Sequence, residues 1–197
     1  DNLVLSRYAI LQVAAVDDNL VCLLDLPAAP GAGDLVLFSA HTPCCGKNDG
    51  RDREHDHLAA TWRDLLAGAG PFAVDPAIPV VMVGDFNMVG YRRQLETLRD
   101  GRFIDPATWG DDYAPARAAG SLRAAPLRHT HTRLHYTWRD DGSSFAPGRL
   151  DWLFYSPDCL TLQRSFALWT PDMPAGARAA SGLRADDSRA SDHLALV

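Results

Sequence analysis

Apolar residues come in short runs bounded by Gly, Pro or Asp, which predicts a strand-rich chain with few helices. Strands are expected at 3–5, 20–26, 35–40, 80–84, 134–138, 150–155 and 160–169, and the chain stops at Val197 inside what reads as a final strand. Leu58, Trp62, Leu65 and Leu66 recur at helical spacing and Gly68 follows as a stop, so a helix is predicted over 52–66. A shorter helix is predicted over 94–99. Segments 110–128 and 171–190 lack periodicity and read as long surface loops. No repeat is visible and neither loop is long enough to mark a boundary, so residues 1–197 read as a single domain.

Four of the apolar runs end in, or enclose, polar chemistry. The run 79–87, Pro-Val-Val-Met-Val-Gly-Asp-Phe-Asn, delivers Asp85 and Asn87 to the rim of a buried strand. Residues two apart share a face of extended backbone, so Asp85 and Asn87 point one way and Phe86 the other. A carboxylate beside a carboxamide can orient water, bind a hard cation or hydrogen-bond a phosphoryl oxygen; as a turn the same residues would be unremarkable in composition. In 149–155, Asp151 sits inside an aromatic strand pattern, where a lone charge would be costly and needs a partner. His193, in the run 191–197, supplies one: a carboxylate accepting from one ring nitrogen fixes the tautomer and favours the protonated ring. Asp192, facing away, is left for a cation. A strand over 35–40 ends at His41 and is stopped by Pro43.

These segments resemble the endonuclease/exonuclease/phosphatase superfamily. Gly84 to Asn87 is similar to its Gly-Asp-x-Asn element, Arg149 to Trp152 to its Arg-Ile/Leu-Asp-Tyr/Trp element, and Ser191 to His193 to its Ser-Asp-His element. The strand ending in His41 resembles the family's Asn-x-His-Leu strand, with Ser39 and Thr42 where Asn and Leu are usual. Leu5-Ser6-Arg7-Tyr8 resembles the family's Leu-Ser-Arg-Tyr segment, and Tyr136-Thr137-Trp138 the strand before the third motif. The resemblance implies an α/β (α+β) fold, a four-layer α/β/β/α sandwich of two packed mixed sheets, deoxyribonuclease I-like and incomplete at the N-terminus. In the family an Asn and a metal-binding Glu precede the Leu-Ser-Arg segment, whereas only Asp1 and Asn2 stand ahead of Leu3 and Val4 here, which implies a fragment cut at both ends.

The implied activity is divalent-metal-dependent hydrolysis of phosphate esters with Mg²⁺ or Mn²⁺, on nucleic acid, a phospholipid headgroup or an inositol phosphate, with no stable protein partner. By resemblance Asp85 orients or deprotonates the attacking water, Asn87 donates to a phosphoryl oxygen, and His193, held by Asp151, stabilises the transition state. Asp192 joins the Glu at the metal, and His41 contacts the phosphate or protonates the leaving group. Arg53, or its neighbour Arg51, positions the substrate phosphate. These side chains are expected to meet around one pocket. The other class of function is a noncatalytic relative or inactive fragment serving as a binding scaffold.

Composition changes this picture little. The 197 residues are 47% hydrophobic, enough for a sizeable core, and no apolar run reaches the length of a membrane helix. A net charge of −6, with Lys47 the single lysine, argues against tight nonspecific binding to a polyanion. Compartment is not legible. Cys22 and Cys159 fall in apolar patterns and are expected in the core; the vicinal Cys44 and Cys45 follow His41, lining the cleft or serving a redox role. His129, His131 and His135 read as a polar loop in preference to a metal tract, the charged run 51–57 as the solvated first turns of the helix, and Trp138 and Trp152 as core.

Overall fold

The structure, a computed structural model, describes residues 2–27, 33–90 and 92–197. Its contacts group the chain into two units, Asp1–Ala124 with Trp152–Thr161, and Ala125–Asp151 with Leu162–Val197.

The first unit is built on a six-stranded mixed sheet, β1 (Ile10–Val16), β2 (Asn19–Leu24), β3 (Leu35–His41), β4 (Val80–Asp85), β5 (Arg123–Ala124) and β6 (Asp151–Tyr155), in the order β1-β2-β3-β4-β6-β5. The α/β class expected from the sequence is therefore the one observed. β1 and β2 form an antiparallel hairpin in which Val16 faces Asn19 across Asp17 and Asp18, with Asp17 at φ 51°, a conformation Asp tolerates in a two-residue turn. β3 runs antiparallel to β2 and parallel to β4, so β3 and β4 present their C-terminal ends together.

Four α-helices are found among the described residues, α1 (Asn48–Leu66), α2 (Arg92–Asp100), α3 (Pro106–Trp109) and α4 (Ala175–Ala180), with 3₁₀ turns at Arg117–Ala119 and Asp187–Arg189. α1 buries Leu58, Trp62 and Leu65 against Val36, Phe38, Val80 and Met82 of the sheet, and Phe38 meets Trp62 edge to face with ring centroids 6.5 Å apart. Gly68, at φ 73°, closes the helix: its N–H reaches Leu65 O and that of Ala69 reaches Asp64 O, the paired bonds that let a left-handed residue stop a helix.

In the second unit the described extended segments are joined by isolated bridges, Trp138 to Gly148 and to His193, and Ala167 to His129 and to Leu196. Ala167, Trp169 and Leu194 form its small core, with Tyr136 and Leu196 packed against them. α4 and a 3₁₀ turn at Asp187–Arg189 fall in this unit, inside the segment expected to be all loop.

Several expectations are corrected. Segment 3–5 is not a strand; Leu3 and Leu5 are exposed, and the edge strand is β1, whose apolar residues Leu11 and Val13 also face outward. Segments 134–138 and 160–169 form isolated bridges at one residue each, Trp138 and Ala167, and no continuous strand. Beyond β6 the chain turns back, with Ser156 N bonded to Val80 O and Ser156 Oγ accepting from Val80 N, so Cys159 lands in an exposed turn beside Arg117. Cys22 is in the core as expected. Among the described residues no helix is long and apolar enough to cross a membrane.

Candidate active site

In the first unit the parallel register sets His41 opposite Asp85 and Ala40 opposite Gly84. Gly84 has φ 143°, and a Cβ there would lie 2.0 Å from Ala40 O, so only glycine lets the two strands approach just before the acid. His41 Nε2 lies 3.7 Å from Asp85 Oδ2; the imidazole is half exposed, and the carboxylate is mostly covered. His41 is held from behind, its N–H donating to the buried Asn19 Oδ1 at 2.8 Å.

Asn87, at φ 48°, curls back on Asp85. Its backbone N–H donates to Asp85 Oδ1 (2.9 Å) and Nδ2 donates to Asp85 Oδ2 (2.8 Å) and to Thr42 O (2.9 Å). Both amide hydrogens face acceptors, which fixes the amide's orientation. In this arrangement Nδ2 is engaged with Asp85 and Thr42, so Asn87 braces Asp85.

The charged first turns of α1 are only partly solvated. Arg51, Glu54, His55 and Asp56 are buried, because this end of the helix packs on the strand ends and each of the four side chains finds at least one backbone or amide partner there. Arg51 donates to Pro43 O (2.7 Å) and to Asn48 Oδ1. Glu54 accepts from Asn19 Nδ2 (3.0 Å), so the helix reaches His41 through Asn19; burial raises the Glu54 carboxyl's pKa. His55 Nε2 lies 3.1 Å from Phe86 O, and Asp56 accepts the N–H groups of Ile104 and Asp105.

Arg53 points elsewhere. Exposed, it approaches Asp17 and Glu54 at 4.0 and 3.9 Å and lines a cavity of about 350 Å³ shared with Asp49, Asp52, Asp56 and Asp105, surroundings that suit a phosphate poorly. Cys44 and Cys45 are exposed free thiols with sulfurs 2.7 Å apart.

In the second unit His193 Nδ1 lies 2.9 and 3.1 Å from the two oxygens of buried Asp151, as the residues predicted. Thr137 sets the geometry: its Oγ1 accepts from Asp151 N (2.8 Å) and Leu150 N (3.1 Å), and its carbonyl from Leu194 N (2.7 Å). Asp192 is exposed, and Trp138 Nε1 donates to its Oδ2 at 2.9 Å, which holds the carboxyl below the usual carboxylate range. Trp138 is thus a half-buried support for Asp192 and not core, while Trp152, also half-buried, packs partly against the core and stacks on Phe154. His129 is buried against Tyr136 and Trp169, whereas His131 and His135 are exposed, so the three form no tract.

Asn19, Thr42, His55, Thr137 and Trp138 were not singled out from sequence as site residues. Only the spacing of Arg51 and His55, one helical turn apart, carried a signal.

Comparison with known proteins follows the same lines. The model of the Endonuclease/Exonuclease/phosphatase family matches residues 1–193. Truncated TDP2 of Caenorhabditis elegans is similar in structure at TM-score 0.54 and 14% identity, over 94% of this chain and 62% of that one. The human nocturnin catalytic domain, solved with bound sulfate anion, gives 0.51 and 14%, over 96% and 58%. A mannosyl-6-phosphatase of Bacteroides thetaiotaomicron gives 0.47 and 17%, over 76% and 46%. The chain thus spans 46%, 62% and 58% of these three structures in the order mannosyl-6-phosphatase, TDP2, nocturnin. No curated protein matches the sequence significantly.

Proposed function

Since the chain belongs to the endonuclease/exonuclease/phosphatase family, we propose that it is a divalent-metal-dependent hydrolase of phosphate esters. The observation that carries this reading is the Asp85 carboxylate, mostly covered, fixed at both oxygens by Asn87 and faced by His41. Side chains in a packed strand end are seldom locked in this way without use, because a covered carboxylate is costly to keep ionised.

Asp85 orients the attacking water and takes its proton; Asn87 holds the carboxylate in place. His41 is the group beside it that contacts the phosphate or returns a proton to the leaving oxygen. His193, with Nδ1 on Asp151, is kept in one tautomer and, when protonated, stabilises negative charge on phosphoryl oxygens. Asp192 fits a hard cation, being exposed, ionised well into acid and gripped through one oxygen by Trp138. Mg²⁺ or Mn²⁺ held there would neutralise charge on the ester. Arg53, among aspartates, takes no part in this reading. The substrate classes that fit are a nucleic acid, a phospholipid headgroup and an inositol phosphate.

The test is turnover with Mg²⁺ on bis-p-nitrophenyl phosphate, plasmid DNA and sphingomyelin, for the wild type, Asp85→Ala, His193→Ala and the double variant. Each single change should lower kcat roughly 10²–10⁴-fold, and the double variant should fall little further, since groups acting in one step are not additive. Unchanged turnover in both single variants would overturn the assignment.

A further inference from the structure

His55 has no place in the roles above, yet it is wholly buried and its nearer polar bond goes to the carbonyl of Phe86, the residue between Asp85 and Asn87. Its Nε2 lies 3.1 Å from Phe86 O and 3.4 Å from Thr42 Oγ1, and among the described residues its Nδ1 has no hydrogen-bond partner. We propose that His55 is a positioning residue: by donating Nε2–H to the Phe86 carbonyl it sets the Asp85–Asn87 rim of β4 against Thr42 at the end of β3. The inference deepens the hydrolase reading and rests on it for its consequence in turnover.

The tautomer follows from the partner. A carbonyl oxygen only accepts, so the ring proton must sit on Nε2, and Nδ1 is then a bare acceptor sealed in the core. Burial, the dominant effect, pushes the ring's pKa down to about 3, so it stays neutral and keeps that single N–H. An unpaired buried nitrogen is a poor choice for packing alone; an apolar side chain would fill the space without it.

Phe86 is pinned from its other end, its ring fully buried and edge to face with Phe154 at 5.7 Å. Thr42 closes the network, its N–H donating to Asp85 O (3.0 Å) and its carbonyl accepting from Asn87 Nδ2. The bond from α1 therefore fixes the carbonyl of Phe86, whose neighbours in the chain are the proposed base and its brace. A displacement of about 1 Å at such a point can lower turnover about 10²-fold.

The test compares His55→Gln, His55→Asn and His55→Leu. A glutamine amide nitrogen sits about as far from Cα as Nε2 and restores the donor, whereas asparagine reaches only as far as Nδ1. Expected are kcat values roughly 10–100-fold down for Asn and Leu with KM within about threefold, near-wild-type kcat for Gln, and similar melting temperatures for Asn and Gln. Hydrogen exchange at the Thr42 backbone amide and the Asn87 side-chain amide, read by NMR, should quicken in the Asn and Leu variants and be restored by Gln. Equal kcat in the Asn and Gln variants, or unchanged exchange in all three, overturns the proposal. If the wild type hydrolyses no phosphate ester, the functional reading falls and the exchange measurement alone decides on His55.

Discussion

His55 also makes the fold sensitive to acid in a direction that can be worked out. The ordinary histidine value is 6.5 and burial takes this ring to about 3. Between those values the unfolded chain binds a proton that the folded chain refuses, so stability rises with pH across the window. The contribution is complete above about 6.5 and is lost as pH falls from there toward about 3, at no more than about 1.4 kcal/mol per unit. Glu54 and Asp56 act oppositely, because burial raises both; just above their ordinary values the folded chain holds more protons, and acid there favours folding. Comparison with His55→Gln isolates the imidazole. Denaturant-derived stability between pH 4 and 6 should fall more steeply for the wild type, by about 1 kcal/mol per unit. Parallel curves would mean that the ring titrates normally.

β3 and β4 show what an apolar run can and cannot announce. Their boundaries, and those of α1, α2 and β6, were close to legible because each pairs a short apolar stretch or helical stripe with a Gly, Pro or acid that ends it. β1 was not, since as an edge strand it turns Leu11 and Val13 outward and owes its place to the turn at Asp17 and Asp18. Segments 134–138 and 160–169 carry strand-like residues but gain bridges only at Trp138 and Ala167, as ladder formation depends on neighbours no local pattern specifies. At the site the motif residues stood out, whereas Asn19, Thr42 and His55 did not, because what they do is bond the backbone of residues far off in sequence. Gly84 joins the two levels, marking a motif and permitting the strand approach. Gly84→Ala should cost about 2–4 kcal/mol by combining positive-φ strain with a clash against Ala40 O. A midpoint shift in urea unfolding of less than about 1 kcal/mol would show that the strands can part at little cost.

Charge over the full 197 residues narrows the substrate question further. Nonspecific affinity for a duplex comes from basic side chains releasing counterions from phosphates, with a salt slope near −0.9 per phosphate neutralised. Here the net charge is −6 and Lys47 is the lone lysine. Where arginines do gather, acids gather with them: Arg139 and Arg189 lie over Trp169 at 5.5 and 5.9 Å, but Asp140, Asp141 and Asp192 line the same cavity of about 260 Å³. Arg139 is moreover tied to Asp141 at 2.5 Å. Such mixed surfaces suit recognition of one phosphate more than a track along a polyanion. Binding to an unspecific duplex, followed by fluorescence anisotropy across a salt titration, should be weaker than ~10⁻⁵ M at 0.15 M salt, with a log–log slope shallower than about −3. A slope steeper than about −5 would reveal a basic track and favour a nucleic-acid polymer among the proposed substrate classes.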